Sequence, residues 1–350
     1  MKKFTRIVLM LALSSAFCIS QLSAQNILCV DNDLSDTSAA TFTDCWPMFQ
    51  ASLDANGYTY DYMEVDQTTY TGPDATAMDP YDIVIWWTGE VWDGWQTLTL
   101  DDEFNLLLYL TLSNGKLLLS AQDYLWDRYP PVGSVNIFEP GDFPYDQLGL
   151  RVVVQDEYHI EDDPDTARFN GAPGSIAEGL SFPVYDIFTT VATDDGLYAD
   201  SIAEHDGTAL FTVQVPYVST GTPGIQYETE AFRVIFTTLS FAAITDQDAA
   251  DEFMYRMVDW LMYGSAGTPD LENPASNVLV HPNPAKDYVN IGMVTPMKEI
   301  RIINSQGQVV YHQDVNNIKA KVNVSTFPSG VYIVQAITAN GQATNRLVVK

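Results

Sequence analysis

Residues 114–123 read Asn114-Gly115-Lys116-Leu117-Leu118-Leu119-Ser120-Ala121-Gln122-Asp123. A turn pair opens the stretch, three leucines fill its centre, and polar residues close it. An unbroken apolar run bounded by turn residues suits a strand covered on both faces. The stretch therefore predicts a central strand that ends at Ser120 in a polar turn. Residues 98–112 before it read as a helix. Phe104, Leu107, Leu108 and Leu112 lie on its inward face, and Asp101, Asp102 and Glu103 sit in its first turn, where they favour the helix dipole.

Working outward, residues 82–87 form another apolar run, 58–65 alternate, and 26–30 form a short apolar strand followed by Asp31-Asn32-Asp33. Residues 43–56 read as an amphipathic helix carrying Trp46, Phe49 and Leu53, with Pro47 in its first turn. Beyond Asp123 come a loosely patterned region, further strands near 150–154, 210–215, 224–228 and 233–239, and a strong helix at 246–262. Strands alternating with helices predict an α/β domain over 25–263, flavodoxin-like, with a mostly parallel sheet and helices on both faces.

Charge divides the chain. The formal net charge is −30. Residues 25–270 hold 6 basic and 42 acidic side chains, hence −36, while residues 1–24 and 271–350 carry +3 each. Such an acidic body repels nucleic acid and anionic membrane surfaces. Residues 1–24 have a basic start, an apolar run too short for a confident span, and a small-residue end at Leu22-Ser23-Ala24. That is a secretory signal pattern, with Gln25 as the mature N-terminus and no transmembrane segment after it. Cys29 and Cys45 remain in the mature chain. An exported setting permits a disulfide between them, and two buried thiols satisfy the same positions.

Residues 264–276 are a linker by composition, and the class changes across 264–271. From 272 to 350, seven short strands are expected, at 278–280, 288–291, 299–303, 308–312, 321–324, 330–337 and 343–349. The spacing predicts an antiparallel Ig-like β-sandwich. The linker also predicts that this tail contributes nothing to folding of the first domain.

The tail carries His281-Pro282-Asn283-Pro284-Ala285, Val289-Asn290-Ile291, Gly307-Gln308-Val309-Val310, Pro328-Ser329-Gly330-Val331-Tyr332 and the terminal Arg346-Leu347-Val348-Val349-Lys350. With these residues it closely resembles the C-terminal sorting domain of the type IX secretion system of Bacteroidetes. The resemblance implies passage through the periplasm and across the outer membrane, with the secretion machinery as partner, and a secreted or cell-surface destination. Residues 26–263 more loosely resemble the class I glutamine-amidotransferase-like superfamily, including its ThuA-like branch. Leu117-Leu118-Leu119-Ser120 stands at that superfamily's nucleophile elbow, and residues 233–238 resemble its late strand. The elbow glycine and the cysteine nucleophile are missing, and Leu239-Ser240-Phe241-Ala242-Ala243 occupies the place of the catalytic histidine. A serine without a nearby base is a poor nucleophile. The expectation is a non-catalytic binding or accessory module. The alternative is a hydrolase using Ser120, with His159 or His205 as base.

Two constellations remain at the predicted strand ends. Asp31, Asp33, Glu90 and Asp123 offer oxygen ligands of the kind calcium takes, and also suit helix capping and loop hydrogen bonds. Residues 161–165 are a further acidic loop. Trp92, Trp95 and Trp126, with Gln122, form a candidate surface for a carbohydrate or protein ligand, whereas Trp86 and Trp87 point to opposite faces of a strand and read as core.

Overall fold

The computed structural model describes residues 26–35, 42–92, 97–130, 135–160, 168–184, 197–213, 221–264, 278–339 and 341–350. The signal segment, the linker, Trp95 and the acidic loop 161–165 lie outside the described residues.

The first half alternates as the sequence predicts: β1 (Ile27–Asp31), α1 (Trp46–Ala55), β2 (Tyr60–Glu64), α2 (Ala75–Met78), β3 (Ile83–Gly89), α3 (Leu100–Leu112), β4 (Lys116–Ala121) and α4 (Tyr124–Arg128). Short antiparallel pieces follow: β5 (Val135–Ile137), α5 (Phe143–Asp146), β6 (Leu150–Ile160), β7 (Arg168–Gly171), β8 (Ser181–Pro183), β9 (Leu197–Glu204), β10 (Thr208–Ala209) and β11 (Phe211–Val213). Then come β12 (Gly224–Glu228), β13 (Arg233–Thr237) and α6 (Gln247–Tyr263). The tail holds β14 (Leu279–His281), β15 (Tyr288–Ile303), β16 (Val309–Asn323), β17 (Gly330–Thr338) and β18 (Gln342–Val349).

The main sheet has seven strands in the order β10-β12-β13-β4-β3-β1-β2. From β13 to β2 every neighbour is parallel; β12 and β10 run antiparallel at one edge. Side-chain alternation explains the triple leucine of β4. Leu118 enters the core on the α1 and α6 side, with Phe49, Leu53, Phe253 and Met257. Leu117 and Leu119 enter the opposite core, with Leu106, Leu107 and Leu110 of α3. Trp86 and Trp87 divide between the same two cores. The turn into β4 is fixed sterically: Asn114 takes a left-handed φ of 52°, and a Cβ on Gly115 would stand 2.6 Å from the Tyr109 ring. A side chain there would clash, so glycine allows the close approach.

Helix α3 starts with a reciprocal capping box. Thr99 Oγ1 accepts from the Asp102 N–H at 3.1 Å, and Asp102 Oδ2 accepts from the Thr99 N–H at 2.8 Å. Residues 124–232 depart from the expected alternation. Six of their described strands form two three-stranded antiparallel sheets, β5-β6-β9 and β11-β7-β8, beside the main sheet, and β10 and β12 form its antiparallel edge. Cys29 and Cys45 are both buried and free, so the disulfide alternative does not hold.

The tail corrects the expectation of seven short strands. Its described residues form five, in a curled antiparallel sheet β14-β15-β17-β18 with β16 also on β15. The segments expected at 288–291 and 299–303 are one strand, β15, and those at 308–312 and 321–324 are one strand, β16. The physical reason is β-bulging. The β15–β16 register shifts between Gly292 and Met297 and again before Glu299, which lets one hairpin bend round without breaking. Val289 and Ile291 from one half then share a core with Ile300, Ile302, Val334 and Leu347 from the other.

Candidate functional site

Register aligns the ends of the parallel strands. Asp31 stands opposite Trp87, Trp87 opposite Ser120, and Ser120 opposite Thr237. In an open α/β sheet this is the edge at which ligands bind.

At the β1 end the carboxylates of Asp31, Asp33 and Asp44 come together, with one oxygen of each within 4.8 Å of the others. Asp31 and Asp33 are buried, and Asp44 is exposed. Backbone N–H groups and the Tyr62 hydroxyl hold them. Asp31 Oδ1 accepts from the Asp33 N–H at 3.1 Å, and Asp31 Oδ2 accepts from the Tyr62 hydroxyl at 2.9 Å. Asp33 accepts from the Ser35 N–H at 3.0 Å and from the Cys45 N–H at 2.8 Å, and Asp44 from the Trp46 N–H at 3.0 Å. Burial, reinforced by the charge of Asp33, pushes the Asp31 carboxyl up to about 8. Asp31, Asp33, Ser35, Glu64 and Gln67 line a cleft open to solvent there.

The other predicted acids take different places. Glu90 Oε1 accepts from the Thr43 N–H at 2.7 Å, tying the start of α1 to the end of β3. Asp123 turns inward. Burial pushes its carboxyl up to about 8, opposed by the Gln122 amide and reinforced by the charges of Asp156, Asp127 and Glu90. Gln122 Nε2 donates to Asp123 Oδ2 at 3.0 Å. Asp200 shares this neighbourhood and is raised well above the ordinary carboxylate range, chiefly by burial. The Asp156 N–H donates to it at 3.0 Å, and the Gln155 amide, turned to face it, donates to both its oxygens at 3.0 Å. Thus Asp31 and Asp33 meet Asp44, while Asp123 lies with Asp200 in a separate buried acidic pair, flanked by the exposed Asp156.

Ser120 is 2% exposed and lies within β4, paired on both sides. Its Oγ accepts from the Phe241 N–H at 3.1 Å. His205 stacks on Tyr145 with ring centroids 3.9 Å apart, and its Nε2 lies 2.9 Å from the Tyr145 carbonyl oxygen. The side chain of His159 lies outside the described residues. Of the predicted ligand residues, Trp92 is 57% and Trp126 39% exposed, whereas Gln122 is buried.

Asp44, Asp156 and Asp200 escaped the sequence reading. Asp44 fell inside the helix expected at 43–56, whereas α1 begins at Trp46 and leaves Asp44 just before it. Asp156 and Asp200 sit in the antiparallel insert, where no periodicity pointed to the sheet edge.

Residues 279–350 match the family model of the secretion system C-terminal sorting domain. They are the type IX sorting domain of this chain, which makes the protein a cargo exported to the cell surface or the medium. The chain is also similar to beta-agarase D of Zobellia galactanivorans, 33% identical over 76 residues. That stretch spans 22% of this chain and 15% of the relative. Among solved structures, PorZ, a surface component of the type-IX secretion system of Porphyromonas gingivalis, is similar at 24% identity and a TM-score of 0.19, over 21% of this chain and 11% of PorZ. A beta-galactosidase from Bacillus circulans sp. alkalophilus is similar at 10% identity and a TM-score of 0.41, over 93% of this chain and 41% of the enzyme. No helix among the described residues is long and apolar enough to cross a membrane.

Proposed function

We propose that this chain is an exported, non-catalytic binding module. Residues 1–24 are removed as a signal, and residues 25–263 form a flavodoxin-like, amidotransferase-like cargo that uses its strand-end edge for binding. The parallel order β2-β1-β3-β4-β13 supports the fold reading, because it reproduces the flavodoxin-like arrangement.

One observation carries the non-catalytic reading: the position of Ser120. An elbow serine projects from a strained turn toward substrate. Ser120 instead lies inside a paired strand, its φ is not left-handed, and its buried Oγ is engaged by the Phe241 N–H. A nucleophile needs a base within hydrogen-bond reach. His205 is held against Tyr145.

The ligand class follows from the edge. The Asp31, Asp33 and Asp44 carboxylates suit a hard divalent cation such as calcium, and the exposed indoles of Trp92 and Trp126 suit a sugar ring. The test of function is a panel of ester, amide and glycoside substrates with wild type and Ser120→Ala. No turnover that depends on Ser120 is expected. Turnover abolished in folded Ser120→Ala would establish the hydrolase reading instead.

A further inference from the structure

Helix α3 is apolar on two sides. Leu106, Leu107 and Leu110 enter the core beneath the sheet. Leu108 and Leu112 instead cluster with Ala75 of α2 and with Val294 and Ile318 of the tail, and Phe104 and Leu279 pack alongside. Positions 104, 108 and 112 form one stripe along a helix. The tail covers that stripe. Leu108 is fully buried, Leu112 is 5% exposed, and Val294 and Ile318 are each 7% exposed.

The fit is close and is encoded on both sides. Gly292 interrupts β15 where the strand crosses the helix, and a Cβ there would stand 2.5 Å from Leu108 Cδ2 and 3.0 Å from Phe104 Cζ. Glycine in a strand marks such a backbone approach. Polar contacts frame the apolar centre. Thr76 Oγ1 donates to the Val294 carbonyl at 3.4 Å, and the Lys319 ammonium pairs with the Asp101 carboxylate in the first turn of α3. Charge is complementary as well, +3 over residues 271–350 against −36 over residues 25–270.

We infer that residues 278–350 are a bound partner of the α2–α3 face, held by this interface as well as by the chain connection, so that cutting the connection leaves the two parts associated. The stripe of Phe104, Leu108 and Leu112 is then a docking surface whose occupant is the sorting domain itself. The sorting domain thereby keeps an apolar helix face out of water.

The experiment uses the mature chain with a site-specific protease sequence placed between residues 264 and 278. After complete cutting, the pieces are run on size exclusion at about 1 µM, a concentration at which only an interface with a dissociation constant well below that value holds. The expected result is a single peak containing both pieces at the elution volume of the uncut chain. Two separate peaks would overturn the inference. An Ile318→Asp variant, checked uncut by circular dichroism, should separate on cutting; co-elution of its pieces would also overturn it. Should that variant unfold, hydrogen exchange on the cut wild type decides. Protection of the α3 amides equal to that of the uncut chain is expected, and its loss on cutting contradicts a bound partner.

Discussion

Gly292 of the tail faces Leu108 of α3 so closely that the missing Cβ would stand 2.5 Å from a Leu108 methyl. The sorting domain and its cargo therefore share one apolar interface, centred on a fully buried leucine. Gly292→Val places a Cβ and two methyl groups against Leu108 and Phe104. Overpacking of this kind costs about 1–3 kcal/mol. A lowered thermal midpoint of the full chain is expected, and an unchanged midpoint would show that the two surfaces separate freely.

Asp123 makes stability fall as pH rises. An ordinary aspartate titrates near 3.8, whereas burial holds Asp123 protonated up to about 8. Between those values the folded state binds a proton that the unfolded state has released. Stability then declines with a slope of up to about 1.4 kcal/mol per pH unit for one proton, and levels above pH 8. Asp200 is shifted in the same direction. Denaturant unfolding of Asp123→Asn at pH 5, 6, 7 and 8 should show a flatter profile than wild type. An equally steep profile would mean that Asp123 does not hold its proton in the fold.

Calcium should raise the thermal midpoint if Asp31, Asp33 and Asp44 take a cation. Ligand at a hundred times its dissociation constant stabilises by about 2.7 kcal/mol. The rise should vanish in an Asp31→Asn, Asp33→Asn double variant. A rise of the same size in that variant would place calcium elsewhere, and no rise in wild type would leave the acids as turn and cap residues.

What was legible in the sequence followed from unbroken or strictly periodic apolar runs. Leu117, Leu118 and Leu119 gave a doubly covered strand, and Trp86 and Trp87 divided between two cores as alternation requires. Periodicity could not say which partner covers a stripe. Leu108 and Leu112 read as facing the sheet, yet they face the tail. The strands expected at 288–291 and 299–303 are one strand, β15, which runs through Pro296 although proline normally ends or bulges a strand. At the site, Asp31 and Asp33 were legible because they directly follow a strand. Whether a strand-end acid stays at the rim or turns inward, as Asp123 does, depends on tertiary packing from the insert.

Removal of residues 279–350 in a host with a type IX system should leave the protein in the periplasm, since the export determinant is then gone. Fractionation with immunodetection reads the result. Normal appearance of the truncated chain outside the cell would mean that another segment directs crossing of the outer membrane.

The state of Ser120 bears most directly on the proposed function. A fluorophosphonate probe reports an activated serine without any knowledge of substrate, because only a base-assisted hydroxyl reacts quickly. Folded full-length protein is incubated with the probe and its peptides are mapped by mass spectrometry. The account predicts no adduct on Ser120, whose hydroxyl is buried and engaged by the Phe241 N–H. Stoichiometric labelling of Ser120, absent from Ser120→Ala, would contradict it and make the protein a secreted hydrolase.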